Sequence, residues 1–182
     1  MKSKCNHLIY ILLLVLGIFT VFQYLQTDTV NFFTYATSVC FLWWFSVSDI
    51  KTRTISARMV NTAIVLIYLI QFCTLCILSL GNVLRFLVES LIVLFIFKVL
   101  SKYLRGKIEN GDFDIAYIIY LCIGLTGLFY SFVIACLLSL IFSLKIILKE
   151  YKNLKSQSVP LIPYLYMGFL AVLLLAKELI FI

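Results

Sequence analysis

Long apolar runs, broken by short polar and basic stretches, dominate this 182-residue chain. A membrane-crossing helix needs roughly 20 apolar residues. Seven segments approach that length: 8–26, 30–47, 59–80, 83–101, 113–125, 128–148 and 161–182. Read as one helix, 113–148 would reach about 54 Å at 1.5 Å per residue, nearly twice a hydrocarbon core of about 30 Å. It must turn, and the stretch from Gly124 to Gly127 is the best place. The fifth helix is then only about 13 residues, or roughly 20 Å. A helix that short spans only if its start, at Asp112, is sunk below the interface. Irregular backbone at that depth needs protein or a water-filled cavity beside it.

Composition agrees with this pattern. The chain is 64% hydrophobic with a mean hydropathy of +1.12, against roughly 45–50% apolar in a soluble domain. The expected fold is all-α, a polytopic membrane bundle of about seven transmembrane helices forming one integral domain. Lys2 and Lys4 before the first apolar run resemble the start of a signal peptide. No small-residue cleavage site follows, so a retained anchor is expected.

The net charge of +7 reports topology. With the N-terminus inside, the inner side holds Lys2, Lys4, Lys51, Arg53, Arg58, Lys98, Lys102, Arg105, Lys107, Lys145, Lys149, Lys152 and Lys155, and the outer side only Arg85 and Lys177. Thirteen against two is a strong positive-inside bias. It predicts N-terminus in and C-terminus out, with some attraction to anionic lipid. Nucleic-acid binding is excluded as the reason for the charge. Of the six cysteines, five lie in apolar runs, and Cys73 and Cys76 form a lone C-x-x-C within one of them. A zinc site needs about four ligands, and His7 is the only histidine. Core packing is the expected role, with no metal and no disulfide framework.

Two of the eight acidic residues stand where apolar helices meet basic loops, Asp49 in WWFSVSDIKTRTIS and Asp112 in KIENGDFDIAYIIY. A carboxylate at the bilayer edge is costly without a partner or a task. Charge placement puts both on the inner face. Asp49 ends a helix, where a negative charge opposes the macrodipole, and Lys51 and Arg53 are placed to offset it. Asp112 follows Gly111, a residue that permits a tight turn or close approach. Asp114 lies about 200° away from Asp112 on a helix, so only one of the two can face Asp49, and helical geometry does not choose between them. Two such carboxylates suit peptide hydrolysis. One takes a proton from water as general base; the other, protonated, donates to the carbonyl oxygen or the leaving amine. Close like charges in a low dielectric let the pair share a proton.

At these residues the chain resembles the prepilin peptidases (type IV leader peptidases), which are G-x-G-D membrane aspartyl proteases. Asp49 with SDIKTRTIS, then ENGD with Asp112, then the stretch Val159-Pro-Leu-Ile-Pro-Tyr-Leu-Tyr-Met-Gly168 with Pro160 and Pro163, are similar to three family motifs in family order. The resemblance covers about 30–182 and implies a six-helix peptidase core there, with 1–29 as an extra N-terminal anchor helix. It selects Asp112 over Asp114 as the partner of Asp49, and leaves open which is base and which acid. It implies pilin-like precursors as partners, cut at the cytoplasmic face of the bacterial cell membrane, between a short basic leader and a hydrophobic helix. No cofactor is implied, because water is the nucleophile. The chain departs from the family at Ser56 and Ala57, where Pro and Asn or Asp are usual, at Glu109, which replaces the first Gly of G-x-G-D, and at Asp114, where Lys is common. The cytoplasmic insertion of longer members, with paired C-x-x-C zinc motifs and methylating activity, has no counterpart, so peptidase activity alone is expected.

Two other functions fit parts of the pattern. A catalytically inactive relative could serve as a membrane scaffold or assembly factor. A small proton-coupled transporter could use Asp49 or Asp112, though no inverted repeat is apparent and the carboxylates stand at one face. Elsewhere, Arg85 and Glu89 are spaced as an ion pair on one helix face, Trp43 and Trp44 as interfacial anchors, and the two prolines as the start of the last helix.

Overall fold

The expected segments appear as α1 (Lys2–Thr27), α2 (Thr29–Thr52), α3 (Ala57–Leu78), α4 (Leu80–Tyr103), α5 (Asn110–Lys149) and α6 (Ile162–Leu179). This is a computed structural model, and it describes residues 2–27, 29–78, 80–104, 110–149 and 161–179. Glu109, Pro160 and the basic residues Arg105, Lys107, Lys152 and Lys155 lie outside the described residues.

The fifth and sixth expected segments are joined in α5, which is broken at Gly124 (φ 71°, ψ −177°). That backbone is left-handed, and glycine adopts it at little cost. The chain folds back there. Past the break, Phe142 lies 5.7 Å from the Tyr164 ring near the start of α6. Before it, Asp112 lines a cavity together with Leu161 and Leu165. Asp112 and Phe142, on opposite sides of the break, therefore both lie in the neighbourhood of the start of α6. The break itself lines a second cavity, of about 490 Å³, with Gln71, Arg85, Glu89 and Thr126. Polar side chains beside broken backbone meet the requirement set by a low-dielectric surrounding. Gly127, the other expected turn residue, is helical.

Small residues set the closest approach. A Cβ on Gly168 would collide with the backbone of Ser131, so α6 packs directly on the second half of α5. The Ser131 hydroxyl is buried and has no hydrogen-bond partner among the described residues. α1 is packed into the bundle: Leu13 and Tyr24 belong to the buried cluster, Tyr24 donates to the Leu173 carbonyl (2.6 Å) and Tyr166 to the Leu13 carbonyl (3.1 Å).

Ala57–Ile77 and Gly111–Phe142 are long and apolar enough to cross a bilayer, with mean hydropathies of 2.1 and 2.3. Only 17% and 33% of their spanning windows are buried within the protein. Large apolar side chains such as Leu69, Phe95, Phe129 and Leu140 point outward instead. So large an apolar exterior is the mark of a surface meant for another apolar phase.

Two expectations are corrected by this inside-out arrangement. Cys40, Cys73, Cys76 and Cys136 are exposed on the apolar exterior, and of the described cysteines only Cys122 is in the core. In a bilayer, a lipid-facing site accepts a small apolar thiol as readily as a core does. Trp43 is not a free interfacial anchor. Its indole N–H donates to the Tyr10 carbonyl of α1 (3.1 Å), whereas Trp44 does face outward. Arg85 and Glu89 form the expected pair, Nε to Oε1 2.7 Å, on the exposed side of α4.

The Gly168 contact and the unpaired serine generate opposite expectations for two neighbouring truncations or additions of one atom. Gly168→Ala should destabilise the fold by about 1–3 kcal/mol through overpacking. Ser131→Ala should be neutral or stabilise by about 1 kcal/mol, because it removes an unsatisfied buried hydroxyl. Thermal unfolding of the two purified variants in one detergent would measure both, and equal midpoints would contradict the packing described.

Candidate active site

Asp49 stands in the last turn of α2, buried. Its Oδ2 accepts the backbone N–H of Ile162, the first residue of α6, at 3.3 Å. One carboxylate thus joins two helix ends of opposite character. At the C-terminus of α2 its charge is unfavourable, and at the N-terminus of α6 it is favourable and satisfies a donor left free by helix geometry. The sequence alone shows only the first half of this balance.

The chain leaves α2 through a left-handed residue. Arg53 has φ 54°, and its N–H donates back to the Asp49 carbonyl at 3.0 Å. That five-to-one bond is the αL form of helix termination. Ser48 and Thr52 both donate to the Thr54 carbonyl, at 3.1 and 3.0 Å, and hold the loop against the helix end. The Ser56 carbonyl then accepts from Met59 and Val60 and starts α3 at Ala57. The Lys51 ammonium sits 5.4 Å from the centroid of the Tyr10 ring, tying this junction to α1.

Asp112 lies in the first turn of α5, where an acidic side chain complements the macrodipole. It is half-buried and borders, through its apolar atoms, a cavity of about 560 Å³ whose exposed lining is wholly apolar, Leu161 and Leu165 included. Asp49 therefore bonds the start of α6, and Asp112 borders a cavity that Leu161 and Leu165 at that start also line. Asp114 is also half-buried, but it does not line that cavity. Lys98 of α4 is near enough to act on it electrostatically. The angular separation expected on a helix is thus realised, with the two carboxylates in different surroundings.

Gly111 differs from expectation. It has no positive φ, and a Cβ added there would meet nothing within 4 Å. It occupies the open first turn of α5 and permits neither a tight turn nor a close backbone approach. Pro163 is the second residue of α6, where its missing N–H breaks no intrahelical bond. The Leu161 carbonyl receives the N–H groups of Tyr164 and Leu165, both at 3.1 Å. The contact of Asp49 with the start of α6 is what residue-by-residue reading misses. The two prolines mark it as a helix start; that it lies against Asp49 is a tertiary fact.

Chemically, this end of the bundle brings carboxylates and an apolar cavity together. Among the described residues no group of three or more His, Cys, Asp or Glu could hold a metal ion. The polar cavity beside Gly124, with Arg85 and Glu89, is lined by residues late in the first half of α5, away from Asp112.

Comparison with known proteins gives one finding. The model of the type IV leader peptidase family matches residues 36–144, more than half of the chain. That interval contains both Asp49 and Asp112. No curated protein and no solved structure matches the chain.

The left-handed Arg53 makes a stability prediction at the edge of the site. Arg53→Gly should keep or raise stability. Arg53→Val should lie about 1–2 kcal/mol below the glycine variant, because a side chain branched at Cβ is the least tolerant of that backbone. Unfolding of the two variants by SDS titration would measure the gap; a valine variant as stable as the glycine one would exclude the left-handed cap.

Proposed function

The chain belongs to the type IV leader peptidase family, and from that premise we propose that it is an aspartyl endopeptidase of the inner membrane face that removes basic leaders from pilin-like precursors. The observation that supports the proposal is that the matched interval holds two carboxylates near one helix start: Asp49 bonds Ile162 of α6, and Asp112 borders a cavity that Leu161 and Leu165 also line.

In the proposed reaction one carboxylate takes a proton from water while the resulting hydroxide attacks the scissile carbonyl carbon. The other carboxyl, protonated, gives its proton to the carbonyl oxygen. Collapse of the tetrahedral diol breaks the C–N bond: the departing amine takes a proton from the first carboxyl, and one diol hydroxyl returns its proton to the second, which restores both groups. One water is consumed, and a free carboxylate and amine are formed. The roles of base and acid are not divided between Asp49 and Asp112. Lys51, Arg53, Gly111, Asp114, Pro160 and Pro163 are proposed as supporting residues around the pair. Residues 30–182 are proposed as the peptidase core, with 1–29 as an added helix. No methylation of the new N-terminus is proposed.

Orientation follows from charge. Thirteen basic residues on one side against two on the other support an N-terminus inside, a C-terminus outside and both carboxylates at the cytoplasmic face of the cell membrane. Seven crossings, counting the two halves of α5 separately, fit the odd number that this orientation needs.

The Asp49–Ile162 hydrogen bond also favours a second reading. A carboxylate that caps a helix is a structural part, as it would be in an inactive relative acting as a scaffold.

Co-expression with candidate pilin-like precursors, with leader removal followed by mass spectrometry, separates the two. Asp49→Asn and Asp112→Asn should each slow cleavage by about 10²-fold or more. Asparagine keeps an acceptor for the Ile162 N–H, so the fold should survive. Asp114→Asn should stay within a few-fold of the parent. Undiminished cleavage by both asparagine variants would sink the aspartyl mechanism, and cleavage of no precursor by the parent would favour the scaffold.

A further inference from the structure

Asp49 and the amide it binds stand on different helices, α2 and α6, and a third helix holds both. That helix is α1, which lies outside the interval matched by the family model. Two of its backbone carbonyls, three positions apart, each receive a side-chain donor from one of the two helices. The Trp43 indole of α2 donates to the Tyr10 carbonyl (3.1 Å), and the Tyr166 hydroxyl of α6 donates to the Leu13 carbonyl (3.1 Å). One turn farther along α1, a Cβ on Gly17 would collide with both the Tyr166 hydroxyl and Val39 of α2. Tyr166 is fully buried. It stands four residues after Ile162, about 6 Å along α6, and Trp43 stands six residues before Asp49, about 9 Å along α2. Lys51, just past Asp49, lies over the Tyr10 ring. A bond of the same kind joins α1 and α6 at their other ends. There the Tyr24 hydroxyl donates to the Leu173 carbonyl (2.6 Å), about 16 Å along α1 from Leu13.

We propose that α1 positions the Asp49 site. One turn of it holds α2 through Trp43 and α6 through Tyr166, and so fixes the start of α6 against the carboxylate. The inference rests on the peptidase reading above for its effect on turnover. Helices in lipid have no hydrophobic drive toward one another, so packing and hydrogen bonds set their relative positions. The Asp49–Ile162 bond, at 3.3 Å, is already at the long end of useful geometry. A small slide of α2 or α6 along its axis breaks it. α1 opposes that slide, because the acceptors are helix carbonyls, which do not move unless the helix moves. Each carbonyl also keeps its place in the helix ladder and takes the side-chain donor on its second lone pair. Removing either donor therefore leaves no carbonyl unpaired. Trp43 and Tyr166 are positioning residues on this account: they act through the bond that holds Asp49. The Tyr24 bond joins the same two helices far from Asp49, so it contributes to packing and not to the site.

Hydrogen exchange at the Ile162 amide reads this bond without requiring turnover. Pro160 and Pro163 carry no amide hydrogen, so a proteolytic peptide across this stretch reports Ile162 with few neighbours. The full-length protein in nanodiscs of phosphatidylethanolamine and phosphatidylglycerol is compared with Tyr166→Phe, Trp43→Phe and Tyr24→Phe. The two tyrosine variants each remove one hydroxyl between α1 and α6 and keep the ring, so their thermal midpoints should fall alike. Exchange at Ile162 should be about fivefold faster in Tyr166→Phe and Trp43→Phe, the factor that one ordinary hydrogen bond supplies, and unchanged in Tyr24→Phe. Cleavage of a synthetic peptide, a Lys-rich leader joined to an apolar helix of about 20 residues, is measured in parallel. In the two inner variants kcat should fall by about fivefold with KM within about twofold of the parent, the pattern of lost alignment and retained binding. Tyr24→Phe should match the parent. Exchange unchanged in both inner variants, or accelerated equally in all three, would overturn the positioning role, and so would faster exchange with undiminished kcat. Where the parent cleaves and exchange does not respond, the peptidase stands and the role of α1 falls. Where exchange responds as expected and the parent cleaves no probe, the hold of α1 on the Asp49 bond stands and the peptidase reading falls.

Discussion

The thickness of the bilayer is the constraint on which this architecture depends. α5 contains 40 residues, which at 1.5 Å each would make a rod of about 60 Å, and no membrane of about 30 Å accommodates such a rod upright. The chain resolves the mismatch at one residue, Gly124, whose left-handed backbone ends the first half and turns the second back. Several features follow from that turn. The second half becomes the partner of α6, in contact at Ser131 and Gly168. Phe129 and Phe132 come to line the same cavity as Asp112. The interrupted backbone sits beside Gln71, Arg85, Glu89 and Thr126, a polar lining in an otherwise apolar region. The exposed Arg85–Glu89 pair is intelligible in this light. It supplies polarity where a broken helix needs it.

A second consequence concerns Asp49. Burying a carboxylate is expensive unless hydrogen bonds hold it. The N-terminus of α6 provides one such bond through Ile162. A backbone donor and a helix dipole stabilise negative charge without bringing a second mobile side chain into the site. The same contact orders the chain, because it fixes where α6 begins relative to the end of α2. Arg53 supports this from the other side by ending α2 within four residues of Asp49. Helix termination, capping and the location of a candidate reactive group are one local arrangement.

Much of this was readable from the apolar pattern. Segment positions follow directly from runs of lipid-compatible residues, and the turn near Gly124 follows from length alone. The separation of Asp112 from Asp114 follows from helical periodicity, and the Arg85–Glu89 pair from its spacing of four. What could not be read has a common cause, since it depends on which helix faces which. The cap of Asp49 on α6 joins residues 113 positions apart. Trp43 reaches Tyr10 because α1 packs on α2, not because of any local signal. The exposed cysteines of α3 show the same limit. In a membrane protein apolar side chains suit both core and exterior, so hydrophobicity no longer tells inside from outside, and only contacts do.

The departures from the family's motifs can be weighed against this geometry. Ser56 and Ala57 fall at the start of α3, where the Ser56 carbonyl already takes two N–H groups and the helix begins normally. A different pair of residues there changes how the loop ends and leaves the Asp49 junction intact, since that junction is built from Ser48, Thr52, Arg53 and Ile162. A Cβ added at Gly111 would meet nothing among the described residues within 4 Å, so the glycine beside Asp112 is not held by packing against them. The motif residues thus divide by physical role. Asp49 bonds the start of α6, Asp112 borders a cavity that this start also lines, and the altered positions 56 and 57 shape a loop end that takes no part in the Asp49–Ile162 bond.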